Sequence, residues 1–186
     1  MVYNPEEDSY LLAESAKKYI FKLKSKNIKI LDLGTGSGFQ SKNLIDLGIK
    51  KENITASDID SSALNEAKEL GVKTIKSNLF SKIKEKYDLI IFNPPYLPED
   101  KYDKRVDTAG GKKGDELILK FIKQLKNHLT KKGVCFLLTS SLTPEKNWKK
   151  IARLEKLNVK KIASKKLFFE ELYIWKITKY IDKLKE

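Results

Sequence analysis

A chain of 186 residues with 40% hydrophobic and 34% charged side chains carries enough apolar material for one globular domain with its own core. No apolar run approaches the ~20 residues needed to cross a bilayer and no charged-then-apolar leader opens the chain, so the expectation is a cytoplasmic protein away from membranes; the single Cys135 excludes an internal disulfide and a thiolate zinc cluster. The net charge of +13 is almost all lysine, with Arg105 and Arg153 the only arginines, a pattern that fits thermophilic surface chemistry or RNA-rich surroundings better than direct reading of bases by arginine forks.

Asn4-Pro5-Glu6-Glu7 reads as a helix start, with Asn as cap, Pro in the first turn and acids at the positive end. The helix carries Leu12, Ala16, Tyr19 and Leu23 on one face. A first strand over Ile28–Leu33 leads through a glycine-rich turn into a helix ending at Leu47, where Gly48 stops it. A second strand, Ile54–Ser57, is followed by a helix from Ser61 to Leu70 and Gly71. The third strand is Val72–Lys76 and the fourth Tyr87–Phe92. After a polar loop, Leu97 to Lys113, spacing-four apolar residues Leu117, Phe121, Leu125 and Leu129 predict a helix from Asp115. A fifth strand over Val134–Thr139, a helix from Pro144 to about Leu157, and a closing pair of strands, Val159–Ala163 and Leu172–Thr178, complete the chain. Strands alternate with helices until that pair. The expected fold is therefore α/β: one Rossmann-like domain over residues 1–186, with a mostly parallel seven-stranded sheet, one antiparallel closing strand and helices on both faces.

The turn after the first strand reads Asp32-Leu33-Gly34-Thr35-Gly36-Ser37-Gly38. A dinucleotide fingerprint requires glycine five residues after the first, where this chain has Phe39, and no Gly-Lys-Ser/Thr follows to make a phosphate loop. An acid with three alternate glycines suits a ligand without phosphates, such as S-adenosylmethionine, whose ammonium Asp32 can take directly or through water. Asp58, 24 residues after Gly34, ends the second strand, where a carboxylate can accept both ribose hydroxyls. Asn78-Leu79 follows the third strand and can offer an amide and a backbone group to adenine.

The fourth strand ends in Asn93-Pro94-Pro95-Tyr96. An amide or exocyclic amino nitrogen is a poor nucleophile because its lone pair is delocalised. Two acceptors aimed at its hydrogens localise that pair, and the Asn93 side-chain oxygen with the Pro94 carbonyl supplies them. Proline fixes the backbone that carries the acceptors, and Tyr96 offers a flat face for a planar group. A strong general base is not required. The lone His128 sits at a helix end and reads as surface or packing; Cys135, inside a strand, reads as an inert core thiol.

These segments resemble the HemK-type family of protein-glutamine N5-methyltransferases, and in particular its short archaeal and eukaryotic branch. The similarity lies in Val2-Tyr3-Asn4-Pro5-Glu6-Glu7-Asp8-Ser9-Tyr10-Leu11-Leu12, the cofactor turn, the tetrad, a Gly-Gly-x-x-Gly segment at Gly110–Gly114, and Glu171-Leu172-Tyr173-Ile174-Trp175-Lys176. The resemblance implies S-adenosylmethionine contacts at Ser9, Asp32, Gly34, Asp58, Asn78, Leu79 and Asn93. It implies as substrate the glutamine of the Gly-Gly-Gln loop in class-1 release factors. It also implies a small zinc-binding activator subunit pairing at the third strand, Val72–Lys76. Asn78 departs from the family, which usually has an acid there. The tetrad is shared with nucleic-acid amino-methyltransferases, so an rRNA, tRNA or DNA amino group is the alternative acceptor; a non-catalytic cofactor-fold module is disfavoured by intact Asn93 and Tyr96.

Overall fold

The structure is a computed structural model that describes residues 5–97 and 114–180. Helix α1 (Glu7–Ile20) begins behind Glu6, which makes no side-chain cap; the proposed cap Asn4 lies outside the described residues. Glu7 and Asp8 place acids in its first turn. The helix ends before Leu23, so only Leu12, Ala16 and Tyr19 of the expected face pack along it.

Seven strands form one sheet in the order β3-β2-β1-β4-β5-β7-β6. They are β1 (Ile30–Leu33), β2 (Ile54–Asp58), β3 (Lys73–Lys76), β4 (Tyr87–Phe92), β5 (Leu129–Ser140), β6 (Leu157–Lys166) and β7 (Glu171–Lys179). Each neighbouring pair is parallel except those involving β7, which runs antiparallel to both β5 and β6. The expected antiparallel strand is present, inserted between its two predecessors.

Helices cover both faces, and the strand residues alternate between two cores as the pleat requires. Ile30, Leu89 and Ile91 face α1, α2 (Phe39–Asp46) and α3 (Ser61–Glu69). Leu31, Leu33, Ile90 and Phe92 face α4 (Glu116–His128) and α5 (Glu145–Leu154). This double cover explains why most of β1 and of β4 is apolar at successive positions rather than every second one, Asp32 being the buried exception in β1. Cys135 lies in the second core, and burial pushes its thiol well above the ordinary range.

β5 starts five residues earlier than the periodicity predicts. Leu129 pairs with Tyr87, but Leu89 pairs with Val134, so residues 130–133 form an irregularity between two paired segments. Gly133 permits it: a Cβ there would stand 2.7 Å from the Tyr87 carbonyl oxygen, inside any allowed contact.

Strand order reverses between β1 and β4, which opens a crevice beyond their carboxyl ends. Among the described residues no helix is long and apolar enough to cross a membrane.

Candidate active site

A cavity of about 810 Å³ occupies that crevice, within the size range of small-molecule sites. Its wall brings together Ser9 from α1, Asp32, Gly34 and Gly36 from the β1–α2 turn, and Asp58 from the end of β2. Asn78 and Leu79 enter from beyond β3, and Asn93, Pro94, Pro95 and Tyr96 from beyond β4. Gly38 is the one predicted cofactor residue outside this wall; it occupies the cap position of α2 and backs onto Leu70.

The β1–α2 turn is held from inside. Asp32 is 2% exposed, and its Oδ2 accepts from Thr35 Oγ1 at 2.7 Å, Ser41 Oγ at 2.6 Å and Ser41 N at 3.1 Å. Burial raises the Asp32 carboxyl above the usual range; the Ser41 and Thr35 hydrogen bonds oppose that shift and the charge of Asp58 adds to it. Gly34 has φ +66, and a Cβ on it would approach the Phe92 ring at 3.4 Å, so the turn needs glycine both for its left-handed backbone and for its packing.

Asp58 joins two loops. Its Oδ2 accepts from Gly36 N at 3.0 Å and its Oδ1 from Asp60 N at 2.9 Å. Asp60 in turn caps α3 by accepting from Ser62 N. Leu79 sits at φ +48, a region a branched side chain enters at a cost of about 1 kcal/mol. The Ser77 hydroxyl donates to its carbonyl at 2.7 Å and helps fix that conformation.

The tetrad is positioned from two other elements. The Tyr96 carbonyl accepts from Thr143 Oγ1 at 3.0 Å, which ties it to the turn after β5. Asp8, 5% exposed in the first turn of α1, accepts from Asn93 Nδ2 at 3.0 Å and, at 3.4 Å, from the Tyr96 hydroxyl. A carboxylate only accepts, so Asp8 decides the orientation of the Asn93 amide: nitrogen toward the acid, oxygen away from it. That oxygen, Oδ1, is buried and has no hydrogen-bond partner among the described residues. Asn93 is the one cavity-lining residue with such an atom among those described. An orphaned buried acceptor costs about 1–3 kcal/mol.

Residues 9–166 match the family described as methyltransferase small domain. The chain belongs to that family. The methyltransferase is 38% identical over 186 residues to a candidate protein N5-glutamine methyltransferase of Methanocaldococcus jannaschii, covering 93% of this chain and 89% of that one. It is 27% identical over 165 residues to the eRF1 methyltransferase catalytic subunit of Schizosaccharomyces pombe, covering 74% and 71%. Among solved structures, a chain of the E. cuniculi Mtq2–Trm112 complex, described as responsible for methylation of the eRF1 termination factor, superposes with a TM-score of 0.77. That match has 24% identity and covers 96% of this chain and 98% of that one, and it shows that the fold is shared.

Asp8 is the site residue that sequence reasoning missed in the methyltransferase. An acid in the first turn of a helix has a sufficient explanation in the helix dipole, and only the fold brings it across 85 residues to Asn93. Other expectations concern more distant residues. His128 proves to be a packing residue, stacked on Phe80 with centroids 4.2 Å apart and planes 2° apart. Val72, expected to be available on an exposed edge, is buried in the core beside α3; the edge itself is β3, Lys73–Lys76. Of the Gly110–Gly114 segment, only Gly114 falls within the described residues.

Proposed function

We propose that this methyltransferase transfers a methyl group from S-adenosylmethionine to the side-chain amide nitrogen of the glutamine in the Gly-Gly-Gln loop of an archaeal-type class-1 release factor. The observation that carries the reading is the Asn93 amide at the cavity wall, pinned through its nitrogen by Asp8, with its oxygen buried and without a hydrogen-bond partner among the described residues. Such an acceptor takes a hydrogen from a planar amide nitrogen and draws its lone pair out of conjugation.

The cavity residues fit the cofactor. Asp58 ends β2 at the cavity wall, and each of its oxygens keeps acceptor capacity beyond the one backbone hydrogen bond it makes, so ribose hydroxyls can donate to it. Ser9, Gly34 and Gly36 line the cavity and would hold the methionine portion, and Asn78 and Leu79 would hold the adenine. Asp32 Oδ2 is committed to Thr35 and Ser41, so the acid would act on the cofactor's ammonium through its charge rather than through a bond from that oxygen. The bound cofactor supplies an electrophilic methyl group on a sulfonium, so no strong base is needed on the protein. The chain's own contribution is to hold and orient. Asn93 Oδ1 and the Pro94 carbonyl accept from the amide hydrogens, Tyr96 covers the amide plane, and Pro94 and Pro95 keep the acceptors fixed. As the new N–C bond formed, the sulfonium S–C bond would break to leave a neutral thioether, and the proton displaced from the substrate nitrogen would pass to water.

The relatives named for glutamine and for eRF1 methylation support the choice of acceptor. We also propose a small zinc-binding activator as partner. β3 ends the sheet and is available for strand addition along Lys73–Lys76, with half-buried Ile75 rather than Val72 as its apolar contact. Incubating the chain, activator and release factor with methyl-labelled cofactor tests the reading. Label on the Gly-Gly-Gln glutamine is expected; label on RNA and none on protein would replace this acceptor with a nucleic-acid amino group.

A further inference from the structure

The turn between β6 and β7 carries two aromatic side chains that none of the described residues covers. Phe168 is 91% exposed and Phe169 85%. Their rings touch edge to face, with centroids 4.6 Å apart at 84°. Single exposed apolar residues are ordinary on a soluble protein, but a contiguous pair standing in water marks a contact surface.

Its position follows from the register. Phe92, the last residue of β4, pairs with Leu137 of β5; Ser140, three residues further along β5, pairs with Leu172 of β7; and Lys166 of β6 pairs with Glu171. The 167–170 turn therefore stands at the same end of the sheet as the tetrad and beyond the end of β4. Hydrogen bonds connect the two. Glu171 and Ser141 bond to each other through Ser141 N to the Glu171 carbonyl at 2.8 Å and Glu171 N to Ser141 Oγ at 3.0 Å. Two residues on, Thr143 holds the Tyr96 carbonyl. Between them, Leu142 is 48% exposed. On the other side Lys165 forms an ion pair with Glu7, the neighbour of Asp8.

We infer that Phe168 and Phe169, with Leu142 on the adjoining turn, form a docking surface for the body of the substrate protein. The inference rests on the proposed glutamine acceptor. A glutamine side chain is short, so when its amide reaches Asn93 the backbone that carries it lies at the cavity mouth and the flanking surface of its protein faces the rim. The rim there is apolar at its tip, with Lys165 and Lys166 on its β6 side and Glu170 and Glu171 on its β7 side, and its complement is a protein patch with an apolar centre and a border of both charges, which a phosphate backbone does not offer. The perpendicular rings make a wedge, unlike the parallel faces on which successive bases of RNA stack.

The test is steady-state methylation of intact release factor by the full chain with its activator, comparing wild type with the double variant Phe168→Ser/Phe169→Ser. The expected result is a KM for release factor raised about tenfold, the scale of one lost apolar anchor, with kcat and cofactor affinity within about twofold. Phe168→Leu/Phe169→Leu, which restores apolar area without the rings, returns most of the affinity. Equal KM values for wild type and the serine variant would overturn the docking role while leaving the glutamine assignment in place. Absence of transfer to release factor by the wild type would overturn both. Loss of single-stranded RNA binding in the serine variant, with KM for the protein unchanged, would assign the turn to RNA instead.

Discussion

The two walls of the cavity spend their polar groups differently. On the cofactor wall, Asp32 and Asp58 between them receive five hydrogen bonds from Thr35, Ser41, Gly36 and Asp60. Those carboxylates shape the loops that wall the cavity. On the acceptor wall, Asp8 fixes one end of the Asn93 amide, and the other end is buried and has no partner among the described residues. The contrast teaches that an orphaned acceptor in a native cavity is informative when its partner atom is deliberately pinned, because the orientation is then enforced before substrate arrives.

The comparison is broken most severely by Asn93→Ala. Turnover is expected to fall by at least about 100-fold, the scale of losing one preorganised polar group at a reacting centre, while cofactor affinity measured by calorimetry changes little. Unchanged turnover would remove Asn93 from the chemistry. Asp8→Ala leaves the Asn93 oxygen in place but frees the amide to turn over. The expected loss is about 10- to 100-fold in kcat, with cofactor binding retained and partial recovery in Asp8→Glu; a change confined to KM would mean that Asp8 binds rather than positions. On the opposite wall, Asp58→Ala should weaken cofactor binding about tenfold, the scale of one or two hydrogen bonds to a charged group. It should also lower the melting temperature, because Gly36 N and Asp60 N lose their acceptor. Equal calorimetric affinity would count against the ribose contact.

The smallest effect lies away from the site. Burial holds the His128 imidazole below its ordinary value, against a weaker opposing hydrogen bond to the Glu85 carbonyl. The folded state therefore binds its proton less readily than the unfolded chain does. The stability this contributes is fully present above about pH 6.5 and is lost as pH falls from there through the lowered folded value. Thermal melting against pH should show that slope in the wild type and a shallower one in His128→Phe, which keeps the stack on Phe80.

What was legible in the sequence was whatever one strand and its following turn carry together. The β1 turn with Asp32, Gly34 and Gly36, the acid Asp58 after β2 and the tetrad after β4 all reach the cavity, because in a parallel sheet every strand's carboxyl end points the same way. What was not legible depends on contacts between distant segments. Asp8 has an adequate local explanation in its own helix. Gly38 looked like a third ligand glycine, but its backbone serves the entry to α2 against Leu70. Val72 looked like edge surface, yet it reaches into the core beside α3. The insertion of β7 between β5 and β6 rests on pairings between β5 and β7 of high sequence separation, which a pattern read along one segment does not contain.

The most direct measurement is peptide mapping by mass spectrometry of release factor after incubation with cofactor, activator and either the wild-type chain or Asn93→Ala. One added methyl group on the Gly-Gly-Gln glutamine with the wild type, and none with the variant, is the predicted result. A methyl group placed on another residue, or the same occupancy of that glutamine with Asn93→Ala, would contradict the account.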